Sequence, residues 1–330
     1  MKLKLGLFFR KSQAGFYSIE TVFNTIQPYL EKKIEVERLE LPQSKISFKS
    51  IVENLKFVRN NRKEVNHITG HVNYIAITSG RNTVLTIHDM ISALQGNPIK
   101  RFFMLALWFW LPVLFVKKIT VISNYTKDEV YKYIPFVKSK VVVINNPIGA
   151  GYVNSPKKFN TNRPNILCVG TKENKNLKRI FKALSGIQCS LTIIGKLKND
   201  QKKILSEYKL EYFNYVDISD YEIVELYKEC DLLCFASLYE GFGMPIIEAQ
   251  TIGRPVVTSN VGAMSEIANN SASLVDPYNC DSIRKGILKV INNESYRRDL
   301  IKKGYDNSKR FSANIIAQKY IEIYKNIING

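Results

Sequence analysis

Short aliphatic and β-branched runs recur along this chain, each followed by enough residues for a helix before the next begins. In the first half they are residues 3–9, 34–41, V-N-H-I-T (65–69), T-V-L-T-I (83–87), I-T-V-I (119–122) and V-V-V-I (141–144). Apolar residues at helical spacing fill some of the gaps. Ile19, Val22, Phe23 and Ile26 follow Ser18, which suits an N-cap, and Ile51, Leu55 and Val58 mark a second helix. Strands that alternate with helices pair in parallel, because a parallel neighbour needs a long crossover. The crossover helices then cover both faces of the sheet. The pattern predicts an α/β chain built on parallel sheets.

The pattern breaks at N-N-P-I-G-A-G (145–151), and polar residues follow to 164. This reads as a linker. The alternation then restarts. N-I-L-C-V-G (165–170) and L-T-I-I-G (191–195) are strands ending in glycine, with a helix over 176–184 between them. Ser219 and Glu222 form a capping box, D-L-L-C-F-A-S (231–237) and R-P-V-V-T-S (254–259) are further strands, and a last helix starts near Ser312. Its apolar positions include Ile315, Ile316, Tyr320, Ile323, Tyr324 and Ile327. With 330 residues and 45% hydrophobic content the chain can fill two cores. The expected division is 1–150, 151–311, and a closing helix 312–330 that packs back on the first domain. Two doubly wound domains in tandem place a ligand at the carboxyl ends of their strands.

The net charge is +19, and it is uneven: residues 1–150 carry 22 basic and 10 acidic groups. Such a surplus suits an anionic partner or simply serves solubility. The five cysteines show no C-x-x-C spacing, which reads as reduced thiols in a cytosolic protein. The first residues read as a strand rather than a signal peptide. F-F-M-L-A-L-W-F-W-L-P-V-L-F-V (102–116) contains Pro112 and is too short to cross a bilayer comfortably. Lys100, Arg101, Lys117 and Lys118 bracket it. Either it is buried, or it is partly exposed and touches an anionic membrane, the reading favoured here.

Chemistry concentrates in S-L-Y-E-G-F-G-M-P-I-I-E-A-Q (237–250), where Glu240 and Glu248 stand eight positions apart. The segment reads as strand, glycine turn, helix. Its amides and helix N-terminus suit an anion. Carboxylates beside an anion site make sense if the ligand has phosphates in its middle and hydroxyls at both ends. V-G-T-K-E-N-K-N-L-K-R-I (169–180) sets a glycine turn and lysines ahead of a helix. Lys175 sits nearest the helix start, and the segment is either a phosphate site or a solvated loop. His88 and Asp89 follow a strand, placed for a cleft or for a capped turn. Arg10, Lys11 and Gly15 lie in a basic loop after the first strand, a second candidate for phosphate or acceptor contact or a plain surface loop. No Walker loop, no D-x-D and no metal-ligand spacing occurs, so no metal is expected.

Together these segments resemble the family 4 retaining glycosyltransferases, which have the GT-B fold. The most specific piece is E-G-F-G-M-P-I-I-E-A, similar to that family's E-x7-E signature, followed by G-R-P-V-V-T-S-N-V-G-A-M-S-E-I. T-I-H-D, V-I-S-N-Y-T and V-I-N-N-P resemble landmarks of the bacterial branch that builds surface polysaccharides. The resemblance implies two Rossmann-like domains facing across a cleft. It implies that Glu248 binds the ribose, Glu240 the transferred sugar and Lys175 the diphosphate. Gly170, Thr171, Gly195 and the amides of Gly241, Phe242 and Gly243 then line the donor site, and Val216 borders the base. His88 would sit near the reacting sugar. Many family members carry Arg where Thr171 stands, and two adjacent glycines where this chain has Gly15 alone.

The activity so implied is metal-independent transfer of a hexose from a UDP- or GDP-linked donor to a glycan or lipid-linked acceptor, with retention. No cofactor is expected beyond the donor, and no nucleic acid as partner. The place expected is the cytoplasm, peripheral on the inner face of the plasma membrane. The competing readings are an epimerase or phosphorylase on the same scaffold, and a basic binding protein without catalysis.

Overall fold

The computed structural model describes residues 2–12, 18–45, 47–91 and 97–329. The chain divides into two units, Met1–Pro147 with Ser312–Gly330, and Ile148–Phe311. Each is built on one parallel sheet.

In the first unit, β1 (Lys4–Phe9), β2 (Glu35–Glu40), β3 (Val65–Ile68), β4 (Thr83–Ile87), β5 (Lys118–Val121) and β6 (Val141–Val143) stand in the order β2-β1-β3-β4-β5-β6. Side chains alternate across the sheet with period two. Leu5, Leu7 and Phe9 pack on one face with Phe23 and Ile26 of the helix Ser18–Glu31. Phe8, Ile68, Leu85 and Ile87 belong to a second cluster with Phe109 and Val113. The first face is completed by the closing helix Ala313–Asn329, which contributes Ile316, Tyr320, Tyr324 and Ile327. Ile315 stays exposed, because helical spacing turns it away from the positions that touch the sheet.

Buried polar side chains join that helix to the sheet. His67 Nδ1 lies 2.6 Å from the Tyr324 hydroxyl and Nε2 lies 2.7 Å from Thr86 Oγ1, which is 2.6 Å from Thr120 Oγ1. Burial, with His88 nearby, pushes the His67 pKa down to about 3. The ring is therefore neutral at physiological pH and serves as a satisfied core group.

Residues 98–114 run as a helix Pro98–Leu105, a π-helical turn Ala106–Trp110 and a short helix Leu111–Leu114. Phe109, Pro112 and Val113 are buried, whereas Phe102, Phe103, Leu107 and Leu114 are 53–61% exposed. The run is apolar all round, yet only one face meets the core. The indole N–H groups anchor it, Trp108 to His71 O at 3.0 Å and Trp110 to Tyr133 O at 2.9 Å. No helix among the described residues is long and apolar enough to cross a membrane.

The second unit holds β7 (Asn165–Val169), β8 (Ser190–Ile194), β9 (Glu211–Tyr215), β10 (Leu232–Phe235), β11 (Val256–Ser259) and β12 (Ser273–Val275). Their order is β12-β11-β10-β7-β8-β9. Counted from β7 this is the doubly wound order 3-2-1-4-5-6 seen from one side, with the switch in winding between β7 and β10. Ile166, Cys168, Leu191, Ile193 and Cys234 form its core with Phe181, Leu184 and Ile287. Cys168, Cys189, Cys230 and Cys234 are free and buried, and burial raises all four thiol pKa values.

An unfolded histidine titrates near pH 6.5, far above the folded His67. Between these values the unfolded chain binds more protons, so stability falls as pH drops. His67→Gln should flatten the decline in unfolding free energy between pH 7 and pH 5 by about 2 kcal/mol. Urea titrations of both proteins at each pH measure this, and parallel declines would remove the assignment.

Candidate active site

β7 and β10 are neighbours, with Leu232 opposite Ile166 and Leu233 opposite Leu167. Being parallel, they release their chains side by side at the same edge of the sheet. At such a switch point the crossovers leave to opposite faces, which opens a crevice above the strand ends.

Gly170 ends β7 with φ of +87°, and its amide donates to Ile194 O at 2.8 Å. A Cβ there would stand 2.8 Å from Lys175 Cε, so glycine is what lets the lysine stem cross the strand end. A 3-10 turn Glu173–Lys175 follows, then Asn176 at φ of +60°, then the helix Leu177–Leu184. Asparagine tolerates the left-handed region. Here its buried amide also donates to Ala236 O at 3.0 Å and Pro277 O at 2.7 Å. Asn174 joins the same two loops: its carbonyl accepts from the Leu238 amide at 2.7 Å, and Nδ2 donates to Tyr239 O at 2.9 Å. The lysine loop is thereby stapled to the glutamate loop.

Lys175 Nζ lies 2.8 Å from Glu240 Oε1, with both side chains less than one-fifth exposed. The ammonium also sits 4.6 Å from the centroid of the Phe235 ring. The neighbouring lysines turn elsewhere: Lys178 pairs with Asp200 and Lys198 with Glu173, each at 2.7 Å. Thr171 gives its hydroxyl to Lys196 O at 2.8 Å. Gly195, at φ of +119°, packs against it, where a Cβ would meet Thr171 Cγ2 at 3.2 Å. Gly195 also holds the end of β9, its amide donating to Tyr215 O at 2.7 Å. Val216, next along, is exposed.

Gly243, at φ of +113°, begins the helix Met244–Ile252, which has Pro245 in its first turn and no side-chain cap. Phe242 turns its ring into the core, edge-on to Phe311 at 5.7 Å between centroids. The Phe242 side chain is thus part of the core. Glu248 lies about one turn into the helix, and Tyr227 donates to its Oε2 at 2.6 Å. Glu248 keeps a partly exposed edge, yet burial pushes its carboxyl up to about 7, with Tyr227, Tyr152 and Lys175 pulling the other way. Burial holds the Tyr227 hydroxyl protonated as a donor. Tyr152 stacks edge-on to it at 5.6 Å.

The first unit holds the other candidates. Arg10 is tied to Glu20 by a two-pronged pair at 2.7 and 3.0 Å, and Gly15 lies outside the described residues. His88 Nε2 is 2.7 Å from Thr69 O. A carbonyl only accepts, so this nitrogen carries the proton, and in the neutral ring Nδ1 is the acceptor. Burial lowers the His88 pKa to about 4. Gly70, at φ of +133°, passes so close that a Cβ would lie 2.6 Å from His88 Cδ2. Asp89 accepts the Ile91 amide at 3.0 Å, closing the turn. His71, Asn73, Thr86, His88, Met104 and Trp108 are among the residues around a cavity of about 220 Å³. The buried Asn73 Oδ1 has no hydrogen-bond partner among the described residues. No group of three metal-ligating side chains occurs among the described residues.

The structure thus joins Lys175 with Glu240 and sets Glu248 on the same strand-turn-helix. Sequence reasoning missed Asn174 and Asn176, although the N-K-N triplet was a usable signal. It also missed Tyr227 and Tyr152. No local pattern links a tyrosine of one helix, or of a loop 75 positions upstream of Tyr227, to a glutamate of another helix. A cation paired with a carboxylate, on the loop that leads into a helix without a side-chain cap, suits an anion flanked by hydroxyls.

Residues 154–307 match the family described as Glycosyl transferases group 1. O-antigen chain mannosyltransferase B of Escherichia coli is 34% identical over 116 residues, 35% of this chain and 30% of that protein. The uncharacterized glycosyltransferase MJ1178 of Methanocaldococcus jannaschii is 26% identical over 236 residues, 69% of this chain and 64% of that one. Both matches span less than two thirds of the relative's own length. The crystal structure of Anabaena HepE in complex with UDP and glucose superposes with a TM-score of 0.78 at 15% identity, covering 98% of this chain and 100% of that one. The fold is GT-B.

Removing a donor from a buried carboxylate raises its pKa further. Tyr227→Phe should therefore move the Glu248 titration above 7. Carbon NMR of the labelled carboxyl group measures this, and a fall or no change would count against the Tyr227 contact.

Proposed function

We propose, from the match of residues 154–307 to the glycosyl transferases group 1 family, that this chain moves a hexose from a UDP- or GDP-linked donor to an acceptor hydroxyl, retaining the anomeric configuration. The observation that carries the reading is the Lys175–Glu240 pair at the exits of β7 and β10, with Glu248 on the helix that follows. The donor's diphosphate takes the Lys175 ammonium and the uncapped end of the helix Met244–Ile252. The ribose hydroxyls go to Glu248 and the hexose hydroxyls to Glu240.

The bond from the anomeric carbon to the diphosphate oxygen breaks, and the acceptor oxygen bonds to that carbon on the same face. The acceptor's proton passes to the departing phosphate oxygen. Positive charge builds on the sugar ring and negative charge on the diphosphate. Lys175 and the helix end meet the negative charge without a metal ion. Gly170, Asn174 and Asn176 fix the Lys175 loop before the donor arrives, so little reorganisation of the lysine is needed. His88, neutral and with an acceptor nitrogen, and the cavity beside it are assigned to the sugar and acceptor. Arg10 is a further candidate for phosphate or acceptor contact once its pairing with Glu20 loosens.

The Escherichia coli relative is named as an O-antigen chain mannosyltransferase, which supports a glycan or lipid-linked acceptor in surface polysaccharide synthesis. The exposed apolar face of residues 98–114, flanked by Lys100, Arg101, Lys117 and Lys118, supports peripheral contact with an anionic membrane. On this reading the chain works in the cytoplasm at the inner face of the plasma membrane.

Glu240→Ala should lower transfer by roughly 100-fold or more, while calorimetric affinity for the nucleoside diphosphate stays within a few-fold. Lys175→Ala should weaken that affinity about 10- to 100-fold. Full transfer by the first variant, or unchanged affinity in the second, defeats the assignment. Glu248 accepts hydroxyls best as a carboxylate, so nucleotide affinity should fall as pH drops below about 7. Glu248→Gln should abolish that pH dependence, and an equally steep profile in the variant would sink the ribose contact.

A further inference from the structure

The first unit carries a second concave site at the opposite edge of its sheet from His88. A hollow of about 700 Å³ is lined by Arg62, Arg81, Lys117 and Lys140, and the chain around Leu114 and Phe115 forms part of its wall. No carboxylate among the described residues lines it. Topology explains how the cations meet. Arg81, Lys117 and Lys140 stand one or two positions before β4, β5 and β6. Adjacent parallel strands begin at one edge, so residues far apart in sequence gather there. His88 follows the other end of β4, and a five-residue strand spans about 17 Å.

Three of the four cations have local hydrogen bonds. Arg62 Nε donates to Thr78 O at 2.6 Å and Lys117 Nζ to Ile327 O at 2.8 Å. Lys140 Nζ donates to Val113 O at 3.0 Å and Val116 O at 2.9 Å, closing the end of the apolar helical run. Carbonyls satisfy donors without neutralising charge. Each of these groups keeps further N–H bonds, and none of the four forms an ion pair among the described residues. The hollow also meets the exposed apolar face of residues 98–115. Leu114 is 61% exposed and Phe115 42%.

An unneutralised cationic hollow that runs into an exposed aliphatic and aromatic ridge matches an amphiphile with an anionic head. We propose that it docks on an anionic phospholipid surface, with the lipid phosphates at Arg62, Arg81, Lys117 and Lys140 and the ridge from Phe102 to Phe115 in the interface. The ridge explains why the partner is a lipid surface rather than a nucleic acid, which has no use for it. This deepens the membrane contact proposed above for residues 100–118 and rests on it. It adds three cations outside the apolar helical run and its immediate flanks.

The test is flotation of the full chain with vesicles of phosphatidylcholine alone and with phosphatidylglycerol added. Arg62→Gln combined with Arg81→Gln is the main variant, since both side chains are exposed. Leu114→Ser combined with Phe115→Ser is the second, and thermal unfolding checks that each is folded. The wild type should float with the anionic vesicles only. The arginine variant should bind them on the order of tenfold more weakly, and the ridge variant should also lose binding. Soluble glycerol phosphate should leave vesicle binding unchanged. A wild type that never floats overturns the membrane contact and the headgroup site together. An arginine variant that floats like the wild type overturns the headgroup site and leaves the ridge contact standing. Release by glycerol phosphate would make the hollow a site for a free anion and overturn the lipid assignment.

Discussion

Parallel pairing of β7 with β10 is the contact on which the candidate site depends. Two strands distant in sequence become neighbours, and their exits, one ending in Gly170 and the other leading to Gly243, open on the same crevice. Lys175 and Glu240 meet only because of that register. The asparagines around Lys175 then lock one loop to the other through main-chain carbonyls. A charged pair held this way arrives preorganised, which matters for a group that must meet charge developing during a reaction.

The two units use polar burial differently. In the first, His67, Thr86, Thr120 and Tyr324 satisfy one another beneath the closing helix. That network specifies where the helix sits, since a misplaced helix would leave buried polar atoms unpaired. In the second, Glu248 is buried against Tyr227 with its pKa near neutrality. A carboxylate poised there is costly to keep charged without a ligand, and hydroxyl donors from a ligand relieve the cost. The same physics yields a satisfied structural residue in one place and, in the function proposed for Glu248, a ligand contact in the other.

Parallel sheets also separate sets of side chains by edge. Strand exits carry Lys175, Glu240 and His88. Strand entries gather Arg81, Lys117 and Lys140, where no acid among the described residues lines the hollow. Four of the basic groups of the first 150 residues gather there.

Much of this was legible in the chain itself. Alternating apolar runs marked the strands named from the sequence to within a residue or two, because burial on both faces demands such runs wherever they fall. The helix Met244–Ile252 was readable from Gly243, Pro245 and Gly253, whose backbone preferences are local. The pair Glu240 and Glu248 stood out because carboxylates beside a glycine turn are chemically unusual. Other features were decided only in three dimensions. Whether Lys175 met an anion, an acid or solvent depended on which strand lay beside β7. Tyr227 and Tyr152 reach Glu248 across tertiary packing, and Asp89 turned out to close its own turn. The apolar run 102–116 was neither simply buried nor simply exposed, since one face packs and the other does not. Local sequence encodes backbone preference and burial period. Which charges face each other is set by strand order, and strand order is a property of the whole fold.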